Sequence, residues 1–429
     1  MKRLGIVLAA GVVVFLLSGC ALFELKDDLT EFDSVYGING KIYEISADAH
    51  PILVVLYGES HGQIKVADYS IPDPAGHYSF LVSEGVYYVA AFEDFNRDFA
   101  YTEGETYGYA MGSAPVVVDA AQMAAAGTKA IRDLEIRLTE KSGYRSDFPL
   151  FVDIHALPGQ SYVNVGVVTD LDDPLFAQEN GYKGYWKPFS FLRDIGVGIY
   201  FIEPYDPDRI PLLFVHGVNG TPIGFKPIVE NMDRSRYQAW FYYYPSGFRL
   251  DAVAGALNLM IQSLHEDYGF ERMAVAAHSM GGLVSRAFVM KNAVKDRHAY
   301  IQTLITMSTP WGGVRAAQSG VDQAPVVVPN WYDVSPDSEF IADLYEKPLP
   351  SQVRFYLLFG VRGKCSVMMG SNDGTIEIAS ELDYRAQRDA ARLFGFDEDH
   401  ESILSSKIVV EQFHRILSGV FSGTRHTGD

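Results

Sequence analysis

The residues best placed to do chemistry are Ala277-His278-Ser279-Met280-Gly281-Gly282, between a short apolar run at 272–277 and a helical pattern at 281–292. A serine on a sharp strand-to-helix turn has its hydroxyl lifted out of the sheet, and small neighbours are needed because the backbone passes so close. Ser279 is therefore the candidate nucleophile, suited to attack on an acyl carbonyl. That attack leaves an anion on the former carbonyl oxygen, which calls for backbone donors. The Met280 N–H is one, because it opens a helix whose dipole also favours negative charge. A serine hydroxyl is too weakly acidic to react unaided, so a histidine must take its proton and a carboxylate must fix the histidine tautomer.

Four segments carry a family resemblance. The A-H-S-M-G form around Ser279 resembles the elbow of the Bacillus lipases, with Ala277 standing where G-x-S-x-G has its first glycine. His216-Gly217-Val218-Asn219-Gly220 resembles the H-G-x-x-G oxyanion loop of bacterial lipases, and Ser371-Asn372-Asp373-Gly374-Thr375 resembles their N-D-G-x-V acid loop. Ser308-Thr309-Pro310-Trp311-Gly312-Gly313 looks like the S-T-P-x-x-G segment that ends a core strand near lipase sites. The motifs span about 210 to 400 and point to the lipase-like α/β hydrolases, including their lipoprotein branch.

The resemblance implies a chain order of serine, acid, histidine, which selects Asp373 and His400, and it makes the Val218 N–H the second oxyanion donor. A plain Asn-Asp-Gly turn at Asp373 and a surface histidine at 400 are the alternatives. His216 is read as a brace for its loop; His298 and His414 have the wrong order or position, and Asp333 and Asp337 are read as solvated turn residues. The expected activity is carboxylic-ester hydrolysis through an acyl-enzyme, with no cofactor required. An acyltransferase or thioesterase would use the same residues, and a non-catalytic surface-binding lipoprotein is the reading from another class.

The elements that must hold these residues alternate between strand and helix. Apolar runs at 211–215, 237–244, 272–277, 301–307 and 353–359 suit buried parallel strands, and 250–268 has Val253, Leu257, Met260, Ile261 and Leu264 at helical spacing. The fold class is α/β, a mostly parallel sheet flanked by helices over 149–420, with a lid or cap insertion at about 311–350 and a terminal helix at 408–417. The insertion carries Val326 to Val328, Trp331, Tyr332 and Phe340, and an ester or acyl-lipid substrate is the guest that such an entrance suits.

Residues 34–140 read differently, as a small all-β sandwich with strands at 52–57, 78–82 and 86–92 and a tight hairpin at Ser83-Glu84-Gly85. This stretch resembles the carboxypeptidase regulatory-like or transthyretin-like modules, and a protein or glycan partner for it is left open. Asp94, Asn96, Asp98 and Glu105 have the spacing of a calcium loop, but Phe99 stands where the sharp turn wants glycine, so a polar loop is preferred.

The start of the chain reads as a secretory signal over 1–19, with Lys2 and Arg3 before an apolar run and Leu17-Ser18-Gly19-Cys20 after it. This resembles the bacterial lipobox, which implies acylation of Cys20, a membrane anchor in the cell envelope and, with Ala21 next, outer-membrane delivery. Residues 20–33 are read as a polar tether. With Cys20 acylated, Cys365 has no intrachain partner, so a packed core must supply stability. A formal net charge of −19 argues against nucleic acid as partner and against electrostatic attraction to an anionic membrane.

Overall fold

The computed structural model describes residues 21–43, 50–154, 162–363 and 370–421, so the signal segment, Cys20 and Cys365 lie outside the described residues. Residue contacts divide the chain into two units. One holds Leu29–Val167 and Phe189–Gly198, and the other holds the chain up to Asp28, Val168–Pro188 and the chain from Ile199 onward. Residues 21–33, expected as a tether, are helical, with Ala21, Leu25 and Asp28 buried at helical spacing.

The all-β part of the first unit has two sheets. Strands β1 (Tyr36–Tyr43), β4 (His77–Val82) and β8 (Ala130–Arg137) form one, in the order β4-β1-β8. The other holds β2 (Ile52–Ser60), β3 (Gln63–Ser70), β5 (Gly85–Glu93), β6 (Tyr107–Tyr109) and β7 (Val116–Val118). In β2, Ile52, Val54 and Leu56 share a core with Ile38 and Phe80, while Leu53, Val55 and Tyr57 join Phe92, Tyr107 and Phe148 on the opposite face. Burial on both faces is why β2 reads as an unbroken apolar run. It turns into β3 through His61 (φ 52°) and Gly62 (φ 73°), two left-handed residues that suit a tight hairpin.

The expected hairpin at Ser83-Glu84-Gly85 is corrected. Strand β4 pairs with β1 and β5 pairs with β2, so this turn carries the chain from one sheet to the other. Phe80 and Val82 meet Val89 and Ala91 in one core from opposite sides. Local turn residues encode reversal of direction, whereas the hydrogen-bond partner is chosen by which side chains need a common core. In the Asp94 loop the carboxylates bind backbone: Asp94 accepts from the amides of Asp98 and Phe99, both at 3.1 Å, and Glu105 from those of Phe95 and Thr102, both at 2.8 Å. Among the described residues no group of three or more His, Cys, Asp or Glu side chains is arranged to hold a metal ion.

Two further strands, β9 (Val163–Val168) and β10 (Val197–Phe201), precede the segment that positions the site. That segment contributes β11 (Ile210–Val215), β12 (Tyr237–Tyr243), β13 (Met273–His278), β14 (Ile301–Met307), β15 (Arg354–Gly360) and β16 (Arg392–Phe396). Their order is β16-β15-β14-β13-β11-β12, all neighbours parallel. The chain steps from β11 to β12 on one side and then returns to lay β13 on the other. Such a reversal opens a crevice beyond the carboxyl ends of the strands, where ligands bind in open α/β sheets. Helices cover the sheet. Leu250–Tyr268 buries Val253, Leu257, Ile261 and Leu264, and stops at Gly269 (φ 63°), whose N–H closes on the His265 carbonyl. On the other face Lys407–Phe421 buries Val409, Phe413, Ile416 and Leu417 beside Phe214.

Candidate active site

Ser279, Val218 and His400 follow closely on the carboxyl ends of β13, β11 and β16, and Asp373 lies further along the chain after β15. Strand β13, six buried residues rich in alanine, delivers Ser279 and is followed at once by the helix Met280–Val289. Ser279 has φ 53° and ψ −133°, a left-handed conformation that costs a residue with a Cβ of order 1–3 kcal/mol. Its N–H donates to the Met307 carbonyl of β14 at 2.9 Å, and its carbonyl accepts the Gly282 N–H at 2.9 Å. The small neighbours are required by distance. A Cβ on Gly217 would stand 2.7 Å from the Ser279 Cβ, and one on Gly281 would run into the Val215 and His216 carbonyls.

Strand β16 and the turn after it bring His400 back over the serine. The Ser279 hydroxyl lies 2.9 Å from His400 Nε2, and His400 Nδ1 lies 2.6 Å from Asp373 Oδ2. All three are buried, with Ser279 7 %, His400 5 % and Asp373 0 % exposed. The second Asp373 oxygen accepts the Thr375 N–H at 2.9 Å and the Ile376 N–H at 2.6 Å, and the Asp373 carbonyl accepts the His400 N–H at 2.9 Å. Burial alone would push the Asp373 carboxyl up; the bond from His400, its charge and the backbone donors outweigh burial and hold it at about 2. A charged acceptor at Nδ1 fixes the tautomer that leaves Nε2 free to accept the serine proton.

The sequence-expected donors face the same space, since Val218 and Met280 both line the cavity that exposes Ser279. Met280 is the first residue of its helix, where an amide has no acceptor within the helix. His216 donates Nδ1–H to the Gly217 carbonyl at 2.8 Å, while its Nε2 accepts the Tyr244 N–H at 3.4 Å. Burial pushes that ring down to about 4, as befits a neutral brace. His414 bonds the Ile228 carbonyl, and the His298 ring lies tilted against those of His265 and Tyr300.

Two residues matter here that the sequence reading missed or misplaced. His278 Nε2 donates to the His400 carbonyl at 2.7 Å, tying His400 to the residue before Ser279, and burial first, then His400, pushes its ring down to about 3. Asp333, expected in solvent, is 1 % exposed. It accepts Arg249 Nη2 at 2.7 Å and the Leu250 N–H at 2.6 Å, so it is the anion at the start of the helix Leu250–Tyr268. Its partners lie more than eighty positions away, so nothing in its own segment announces them.

The insertion at 311–350 forms three short helices, Arg315–Gln323, Trp331–Val334 and Glu339–Asp343. It walls a cavity of about 730 Å³ whose floor includes Ser279 and His400, and whose apolar lining includes Val218, Ile223, Val314, Ala317, Val334 and Leu404. The size and the apolar walls suit a small ligand with a hydrocarbon part.

A parallel sheet with a serine on a strained strand-to-helix elbow, an acid and a histidine following in that order at its carboxyl edge, is an α/β-hydrolase fold. Residues 249–385 match the family model described as "Alpha/beta hydrolase of unknown function (DUF915)". Among solved structures, the chain is similar to the lipase BlEst2 of Bacillus licheniformis in mature form, at 18% identity over 51% of this chain and 97% of that one, with a TM-score of 0.40. The product of gene lin2722 from Listeria innocua overlaps 51% of this chain and 96% of its own at 14% identity, TM-score 0.38. Lipase B of Aspergillus fumigatus overlaps 51% of this chain and 55% of its own at 14% identity, TM-score 0.40. No curated protein matches the chain.

Proposed function

We propose that this chain is a serine hydrolase that cleaves carboxylic esters with an apolar acyl group. The observation that supports it is the unbroken hydrogen-bonded line from Ser279 through His400 to Asp373 at the floor of the apolar cavity. In this reading His400 Nε2 takes the Ser279 proton as Oγ bonds to the ester carbonyl carbon. The Val218 and Met280 amides hold the resulting oxyanion, and Asp373 stabilises the imidazolium. His400 then gives its proton to the departing alcohol, leaving an acyl-serine. A water, deprotonated by His400, attacks that acyl group and restores the free hydroxyl. No step calls for a metal or cofactor.

The anchor belongs to the same reading. Acylation of Cys20 would hold the enzyme at a membrane of the bacterial cell envelope, near acyl-lipid substrates. Rates on p-nitrophenyl esters of graded chain length, with a thioester and a phospholipid alongside, test the function. Turnover that rises from acetyl towards medium chains supports the ester reading. A thioester preferred over every oxygen ester, or no turnover of any of them, overturns it.

A further inference from the structure

Beside the triad lies an acid that this chemistry leaves unused. Glu381 ends the short helix Ile378–Glu381, just after the loop that carries Asp373, and its side chain is 0 % exposed. Its carboxyl faces Asp373, the Ser308 hydroxyl at the end of β14 and the Gly360 amide at the end of β15. Among the described residues neither of its oxygens has a partner at full hydrogen-bond geometry, and the Ser308 hydroxyl is likewise buried and unpartnered. Asp373 is the charged group that faces Glu381, with the His400 ring behind it.

Two carboxylates side by side at fully buried positions do not both stay ionised. The donors decide which one keeps the charge. Asp373 has Thr375 N–H, Ile376 N–H and His400 Nδ1 bonded to it, whereas the Ser308 hydroxyl and Gly360 amide near Glu381 do not reach full hydrogen-bond geometry. Burial first, and then the Asp373 charge, push the Glu381 carboxyl up to about 10. A neutral carboxylic acid has an O–H to donate, and the Asp373 carboxylate is the strongest acceptor before it.

We infer that Glu381 is a positioning residue of the triad: a buried, protonated acid that offers its O–H to Asp373 and shares part of the charge otherwise directed at His400. The proton remains on Glu381 throughout, and no bond to substrate involves it. The inference rests on the reading of Ser279, His400 and Asp373 as the reacting groups. It explains why a carboxyl is tolerated in so buried a place, and it limits how strongly Asp373 stabilises the imidazolium.

Two variants of the full-length protein separate this role from packing. Glu381→Gln keeps a donor, and Glu381→Met keeps the volume without one. The expected result is an infrared C=O band of a protonated carboxyl at neutral pH in the wild type, absent from Glu381→Gln. The acid limb of kcat/KM should stay in place in Glu381→Gln and move up by about half a pH unit or more in Glu381→Met, where Asp373 holds the imidazolium more tightly. A missing band overturns the inference, as does a Glu381→Gln limb that moves down, the result of removing a negative charge. An unmoved limb in folded Glu381→Met also overturns it; where that variant does not fold, the band and Glu381→Gln decide. A wild type that shows the band yet never reacts with a fluorophosphonate leaves the acid–carboxylate pair standing and removes the triad reading instead.

Discussion

Ser279 is set by its own strand, turn and helix with one bond to the neighbouring β14, whereas Asp373 and His400 meet across the chain, with the Thr375 and Ile376 amides holding the other oxygen of Asp373. On the Ser279 side, strand, turn and helix run on without a break, and glycines at 217 and 281 admit the backbone. The cost there is conformational strain. On the Asp373 side, two loops meet through the bonds of Asp373 with His400, and the His278 ring ties His400 back to the elbow. The cost there is desolvation, offset by three donors on one carboxylate. A strained turn is a local device that sequence can spell, while a buried charge network is an assembly.

The comparison predicts that the two sides fail in different ways. Asp373→Asn keeps the shape of the acid loop but offers the wrong hydrogen-bond partner to Nδ1, so kcat should fall about 10⁴-fold with an unchanged KM. Steady-state kinetics on a soluble ester check this, and a loss under tenfold would mean that Asp373 does not set the tautomer. Gly217→Ala is the matching change on the other side. Its methyl group meets the Ser279 Cβ, so the nucleophile or the oxyanion loop must shift, for a loss of roughly 10²-fold in kcat. Fluorophosphonate labelling should slow in parallel, and full activity would show that the elbow has slack.

The smallest expected effect concerns pH. His216 and His278 are held neutral in the folded protein, at about 4 and about 3, against an ordinary value of 6.5. Each therefore contributes stability that is fully present above 6.5 and is lost as pH falls towards its folded value, at most about 1.4 kcal/mol per pH unit. Urea midpoints at pH 7, 6 and 5 should decline, and His278→Gln should flatten the slope. A midpoint independent of pH across that range would mean these rings are not held neutral.

Legibility in the sequence followed the same division. Ser279 stood out as a candidate because strand, small residues and helix lie within about twenty positions, whereas Asp373 and His400 became candidates only through the acid loop and chain order that the resemblance implies. The alternation of buried runs and amphipathic helices made the parallel sheet evident, with β16 missed because its half-exposed Arg392–Phe396 does not read as core. What stayed hidden depends on distant partners. Asp333 is buried by Arg249 and Leu250, Glu381 takes its character from Asp373, and the turn at 83–85 switches sheets because Phe80 and Val89 need the same core. In each case the local residues permit the structure without specifying it.

The most direct measurement is reaction of the wild-type protein with a fluorophosphonate, followed by mass mapping of the adduct. A single adduct on Ser279, much slower to form in Asp373→Asn, is the predicted result. A protein that stays unlabelled, or one labelled at another serine, would contradict the assignment of the elbow.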